Sequence, residues 1–402
     1  MSKIYPIDPV VIVASARTPI GGLLGDFKDM AATQLGSIAL QAAVERSTLS
    51  LDEIDEVYMG CVLPAGLGQA PARQAAIRAG LAESTACTTV SKVCGSGLKA
   101  VMLAHDAIVA GSANIVAAGG MESMTNAPHM ILKTREGYKM GSVPMTDHMF
   151  VDGLQDAYEK DKSGGKLMGV FAEACAERYQ FTRAAQDAFA ITSLERARQA
   201  TQDGSFTSEI VPVSVKHKKG DVVISSDEQP KKADAAKIPT LKPAFSPTGT
   251  VTAANASSIS DGAAALILMR ASDAHKRGLK PLARIIGHSS HAQEPAWFAT
   301  APVGAMQKLA DKIGWKMKDV DLFEINEAFA VVTMAAMHDL NLPHEKVNIH
   351  GGACAMGHPI GASGARILVT LLAALEKNRL TRGMASLCIG GGEAVAIAVE
   401  RM

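Results

Sequence analysis

The chain has 402 residues, 48% of them hydrophobic and 20% charged, and its 40 basic and 40 acidic side chains cancel. That balance excludes a disordered polyelectrolyte and argues against a dedicated nucleic-acid binder or a polybasic membrane-surface protein. The length exceeds one usual domain, so two or more hydrophobic cores are expected. Cysteines at 61, 87, 94, 175, 354 and 388 form no C-x-x-C pair and no metal-finger spacing, which predicts free thiols and a reducing compartment. The opening MSKIYPIDPVVIVASART has neither the charged region, apolar run and cleavage site of a secretory leader nor a transit-peptide composition, and no stretch approaches 18 consecutive strongly apolar residues. A soluble, cytoplasmic protein with no membrane or nucleic-acid partner is expected.

Residues 10–14 read as a buried strand and 17–21 as a turn. A helix over about 33–46 follows, with Leu35, Ile38, Ala39, Ala42 and Ala43 on one face and Thr33 as N-cap. Residues 56–62 predict a second strand, 69–79 a helix of small residues, and 88–93 a strand running into VCGSGLKA. From 97 to 111 the apolar residues Leu98, Val101, Met102, Ala104 and Ile108 recur at helical spacing. Cys94 therefore stands at a strand-to-helix turn, where the helix N-terminus favours a thiolate. Gly95 and Gly97 would leave room for a substrate. A buried structural cysteine is the commoner fate of a free thiol, and CGSG alone does not decide against it. A strand over 114–118, ended by Gly119 and Gly120, completes an alternation that marks the α/β class.

Between 125 and 254 the alternation lapses, apart from one helical run over 168–202. Residues 216–242 are polar and carry Lys218, Lys219, Lys231, Lys232, Lys237 and Lys242, a solvated face unless the ligand bears phosphates. The strand pattern resumes at 264–269, and from 281 a second copy of the first part begins. Three landmarks repeat in order: 52–57 with 318–323, Ser96-Gly-Leu-Lys with Ser363-Gly-Ala-Arg, and 115–120 with 386–391, at offsets of 266, 267 and 271. The expected organisation is an N-terminal half over 1–124 plus 255–279, an inserted loop domain over 125–254, and a C-terminal half over 280–402. Two similar halves packed face to face would bring the turns at corresponding sheet ends into one cleft. Cys94, Asn326, His358 and Cys388 would meet there, each at the end of an element. Taken singly, His358 reads as a turn residue, Asn326 as an N-cap and Cys388 as core packing. As a set at glycine-lined ends they read as a reaction centre.

VCGSGLKA, NEAFA, GGACAMGHPIGASGAR and CIGGGEAVA, with VVIVASARTPIG at the start and NASSISDGAAA before the second half, resemble the thiolases along nearly the whole chain. Lys139-Met-Gly and Met168-Gly are most similar to the short-chain, biosynthetic-type acetyl-CoA C-acetyltransferase branch. The resemblance implies a duplicated five-layer α-β-α-β-α fold with an inserted loop domain. It implies reversible Claisen condensation of two acetyl-CoA to acetoacetyl-CoA and CoA; the alternative is a broader-range degradative 3-ketoacyl-CoA thiolase. Cys94 would be the nucleophile, His358 its base and an oxyanion donor, and Cys388 the acid/base at the α-carbon. Asn326 would hold an oxyanion water, and the Gly390 N–H would serve the other oxyanion.

Met168, Phe245, Ser257, Phe329 and Lys231 would contact substrate or CoA, with Met168 closing the acyl pocket. CoA would be substrate and product, with no cofactor and no catalytic metal, and the chain would assemble as a dimer or dimer of dimers. Two departures stand out: Leu167 replaces the His often found before Met-Gly, after an unusual run over 159–166, and Lys231 replaces a frequent Arg. A decarboxylating ketosynthase would pair its cysteine with two histidines, whereas here Cys388 occupies one of those places. A non-catalytic lipid-carrier relative would lack Cys94 or His358, and both are present.

Overall fold

A computed structural model describes residues 8–161, 164–218 and 220–402. Residues 1–7, Lys162 and Ser163 of the 159–166 run, and Lys219 of the lysine-rich stretch lie outside the described residues. The first half contains β1 (Val10–Arg17), α1 (Ala32–Ser47), β2 (Glu56–Gly60), α2 (Pro71–Arg78), β3 (Ala86–Val90), α3 (Ser96–Ala110) and β4 (Ile115–Ser123). After α4 (Met168–Tyr179) and α5 (Arg183–Gln202) the chain returns in β5 (Ser260–Arg270). The second half contains β6 (Ala283–Ala292), α6 (Ala301–Ile313), β7 (Leu322–Ile325), α7 (Ala330–Leu340), α8 (Ile360–Lys377), β8 (Arg382–Ile389) and β9 (Glu393–Arg401).

The strand order β7-β8-β9-β6-β1-β5-β4-β2-β3 is the same five-place pattern written twice. In the first half β2 runs parallel to both β3 and β4, β4 is antiparallel to β5, and β5 to β1. In the second, β7 pairs in parallel with β8 and with a bridge at Val347, β8 is antiparallel to β9, and β9 to β6. The corresponding strands β1 and β6 join the halves through Val11↔Arg284 and Ile12↔Ala283. Even side-chain caps repeat. Asp55 Oδ2 accepts the N–H groups of Asn114 and Ile115 at 2.7 and 3.0 Å, and Asp321 Oδ2 those of Thr381 and Arg382 at 3.0 and 2.8 Å. This register sets Ile115 against Arg382, so the third landmark repeats at an offset of 267, not 271. The Gly-Gly match was a four-residue slip between similar letters.

Alternation along the strands builds five layers. Val11 and Val13 of β1 face an outer core with α1 and α2, whereas Val10 and Ile12 face a central core containing Leu98 and Val101 of α3 and Leu368 and Leu371 of α8. Val395, Ile397 and Val399 of β9 face the same centre from the other side. Ala394, Ala396 and Ala398 turn outward to α6. Each fully buried Leu or Ile contributes roughly 1.5–3 kcal/mol, so the shared central layer locks the halves together. The 93–110 stretch reaches the mean hydropathy of a membrane span although Lys99 and Asp106 interrupt it. Here it is α3, packed against α8 between the two halves of the sheet.

Asp261 of β5 pairs with Ser123 of β4, so the chain between them leaves and re-enters at neighbouring strands. Arg17, expected in a turn, ends β1 fully buried, bonded to Glu209 at 2.6 Å and to both oxygens of Asp227 at 2.7 and 3.0 Å. Losing one partner of such a buried cluster costs roughly 3–5 kcal/mol, which pins the excursion to the sheet. The helical run over 168–202 is two helices, broken where Gln180 takes φ 55° and Thr182 caps α5 through the Ala185 N–H. Thr33 is not a cap: α1 begins one residue earlier, and the Gln34 side chain accepts the Ala31 N–H at 2.8 Å.

Candidate active site

The two helices of the central layer carry the site. Gly97 of α3 and Gly364 of α8 sit 267 residues apart in the repeat and face each other's backbone. A Cβ on Gly97 would lie 2.8 Å from the Ala365 nitrogen, and one on Gly364 would lie 2.4 Å from the Leu98 nitrogen. Helices without side chains at the crossing approach this closely, and their N-termini then deliver Cys94 and His358 to one place. Gly97 thus serves helix contact, and a Cβ on Gly95 would strike Ile389 at 2.4 Å. Neither glycine clears space for substrate, as the sequence had suggested.

Cys94 follows Val93, a β-branched residue at φ 46°, a conformation costing on the order of 1–3 kcal/mol. Ser96, fully buried, holds it: its hydroxyl donates to the Val93 carbonyl at 2.7 Å and accepts the Lys92 N–H at 2.8 Å. His358 Nδ1 lies 2.5 Å from the Ser363 hydroxyl, which donates to the Pro359 carbonyl at 2.9 Å. With its one proton spent, that hydroxyl accepts, so Nδ1 carries hydrogen and Nε2 is left as the basic nitrogen. Nε2 is buried without a partner among the described residues.

Cys94, His358, Met168, Phe245, Ser257, Phe329 and Gly390 line one cavity of about 370 Å³, together with Leu167, Phe150 and Leu154. Asn326 and Cys388 do not line it. Asn326 stands at the end of β7, its N–H donating to the Ser386 carbonyl at 3.0 Å, and both side-chain polar atoms lack a partner among the described residues. Cys388 is fully buried near the end of β8, in the apolar cluster that also holds Phe329, Met168 and Phe245. Its thiol is near enough to Cys94 for ionisation of one to oppose that of the other. Lys231 is elsewhere: it is exposed and reaches the Ser226 carbonyl at 3.4 Å.

Burial sets the resting charges. It pushes the Cys94 thiol up to about 11, although the Gly390 and Cys94 N–H groups act the other way. It pushes His358 down to about 3, with the Arg366 guanidinium adding to the effect, and lifts Cys388 well above its usual range. The helix N-terminus does not win, and the resting pair is thiol and neutral imidazole. Two α-helix N-termini and apolar walls surround a site that favours negative charge only once it forms on a bound group.

Sequence reasoning missed Ser96, Ser363 and Glu122. Glu122 is fully buried at the end of β4 and accepts the N–H groups of Val62 and Gly361 at 2.9 Å and Leu63 at 3.2 Å. It ties the loop after β2 to the turn bearing His358, and burial lifts its carboxyl to about 7. A lone acid in the small, apolar run VAAGGMES was the available signal. The two serines occupy equivalent places in the repeat.

The family models for the thiolase N-terminal and C-terminal domains match residues 10–272 and 279–401. The chain belongs to the thiolase family. An acetyl-CoA acetyltransferase of Thiocystis violacea is 48% identical over 397 residues, covering 98% of this chain and all of that one. The Acat5 thiolase from Ascaris suum, solved in complex with coenzyme A, superposes with a TM-score of 0.92 at 40% identity, covering 98% and 100% of the two chains. The Bacillus anthracis acetyl-CoA acetyltransferase does so at 0.94 and 38%, covering 98% and 99%. This thiolase chain therefore has the duplicated five-layer fold that its motifs implied, and it is an acyltransferase.

Proposed function

We propose that the chain is an acetyl-CoA C-acetyltransferase, joining two acetyl-CoA into acetoacetyl-CoA and CoA through an acetyl-Cys94 intermediate, and reversing that reaction. The observation that carries it is that Cys94 and a His358 whose Nε2 has no partner among the described residues line one apolar cavity, with the buried thiol of Cys388 within electrostatic reach of Cys94. His358 takes the Cys94 proton as sulfur attacks the thioester carbon, then returns it to the departing CoA sulfur. For the condensation, Cys388 acts as thiolate, its resting proton held on His358, and removes the α-proton of the second acetyl-CoA. The carbanion attacks acetyl-Cys94, the C–S bond breaks, and His358 protonates the Cys94 sulfur. The N–H groups of Cys94 and Gly390 would serve one developing oxyanion, and His358 with a water on the Asn326 amide the other. CoA enters as substrate, and the acid and base groups come from the chain.

Short acyl chains fit this site. The Met168 thioether tip lies 3.8 Å from where a Cβ on Gly390 would stand, and so does Val93, so the methionine fills the space beside the nucleophile. Leu167 adds apolar wall where a polar histidine is frequent. Thiolysis of a four-carbon 3-ketoacyl-CoA is expected to exceed that of a ten-carbon one by kcat/KM, and equal turnover would reject the assignment in favour of a broad-range enzyme.

Assembly in pairs is part of the same reading. β3 is the end strand of the sheet, part-exposed, and leads straight to Cys94; an unpaired edge invites a second copy. The excursion exposes Ile131, Leu132, Tyr138, Met140 and Met145, an apolar arm suited to joining dimers. Light scattering is expected to give at least twice the 41.9 kDa chain mass. A monomer at micromolar concentration contradicts this.

A further inference from the structure

In the second half of α3, away from Cys94 at its N-terminal end, three side chains from both halves converge. His105 and Asp106 belong to α3, and His288 to β6. Their facing atoms are mutually close: His288 Nε2 lies 2.9 Å from Asp106 Oδ1 and 3.3 Å from His105 Nδ1, and His105 Nδ1 lies 3.2 Å from the same carboxylate oxygen. The two rings are near perpendicular, at 86°. A tetrahedral ion bonding nitrogen and oxygen at about 2.0–2.1 Å holds its ligands about 3.3 Å apart, so the three atoms already stand close to the corners such an ion requires. None of the three lines the substrate cavity.

We propose that His105, Asp106 and His288 form a site for a borderline divalent transition ion of the zinc class, clamping α3 of the first half to β6 of the second. Two imidazoles and one carboxylate are the donor set suited to such ions and unsuited to calcium or magnesium. The imidazoles are largely sheltered while half of the Asp106 side chain meets solvent, which leaves a path for the ion and a fourth position for water. Lys312, whose Nζ reaches the His288 carbonyl at 3.2 Å, is the opposing charge among the described residues, and the Asp106 carboxylate offsets it. The rival arrangement has the carboxylate accept a hydrogen bond from each imidazole N–H with no ion present.

The test uses the full chain with Cys94 alkylated by iodoacetamide, so that the active-site thiol takes no metal. Cobalt(II) is titrated as the probe and zinc(II) as competitor. The expected result is one cobalt per chain, with four- or five-coordinate visible absorption and no sulfur charge-transfer band, displaced by zinc. His105→Ala and His288→Ala are each expected to weaken binding by more than the ~10–100-fold that loss of an outer-shell partner costs. Zinc should raise the melting temperature of the parent chain and not of the variants. Circular dichroism and thiolysis by unalkylated variants confirm that they fold. Absence of cobalt uptake, equal affinity in parent and variants, or a sulfur-type spectrum overturns the proposal.

Discussion

Cys388→Ala is expected to form acetyl-enzyme at near-normal rate yet lose condensation and thiolysis. Acylation needs a nucleophile and a base, which Cys94 and His358 supply from the cavity wall. Making or quenching a carbanion needs a second group beside them. Cys388 is buried, close enough to Cys94 for the two thiols to feel each other's charge. Its own thiol is held protonated at rest by burial, which suits the donor that quenches the carbanion in the cleavage direction. General acid–base groups contribute ~10²–10⁴-fold, and the loss should fall at or beyond the top of that range. Exchange of the α-protons of acetyl-CoA with deuterated solvent should vanish with it. Near-normal exchange in the variant would instead make His358 the α-carbon base and Cys388 a packing residue.

His358→Ala should impair both half-reactions, and its pH dependence should reveal why. With the Cys94 thiol pushed up to about 11, on the order of 1 in 10⁴ molecules carries a thiolate at pH 7, since each pH unit below the pKa is a factor of ten. The parent enzyme escapes this limit because Nε2, freed by the Ser363 contact, takes the proton during attack. Without it the acylation rate at pH 7 should fall by ~10²–10⁴-fold and climb about tenfold per unit as pH rises toward 11. The sign follows from the shift: a raised thiol pKa means that thiolate appears only on the alkaline side. A variant whose acylation is flat between pH 7 and 10 would show that Cys94 ionises without the imidazole.

Much of this was legible in the letters. Cys94 and His358 sit in turns whose glycines mark element ends, Asn326 follows an apolar strand with no glycine beside it, and the repeat announces two halves whose like ends meet. What was not legible was of two kinds. Properties that depend on depth, such as the neutral resting pair, come from three-dimensional burial that periodicity does not measure. The helix-end argument for a thiolate was sound in sign and lost to desolvation. Contacts between distant segments were equally hidden: nothing in CGSG says that Gly97 faces Gly364, and nothing in SART says that Arg17 is sealed between Glu209 and Asp227. The register error at 386–391 was instead a misreading of legible letters, since identical glycine pairs align falsely when only their order is compared.

The reading rests on one covalent event. Incubation with acetyl-CoA, followed by intact mass and a peptide map, is predicted to show a single added acetyl group on the peptide containing Cys94, and none in Cys94→Ser. An acetyl group on another residue, or full condensation activity in Cys94→Ser, would contradict it.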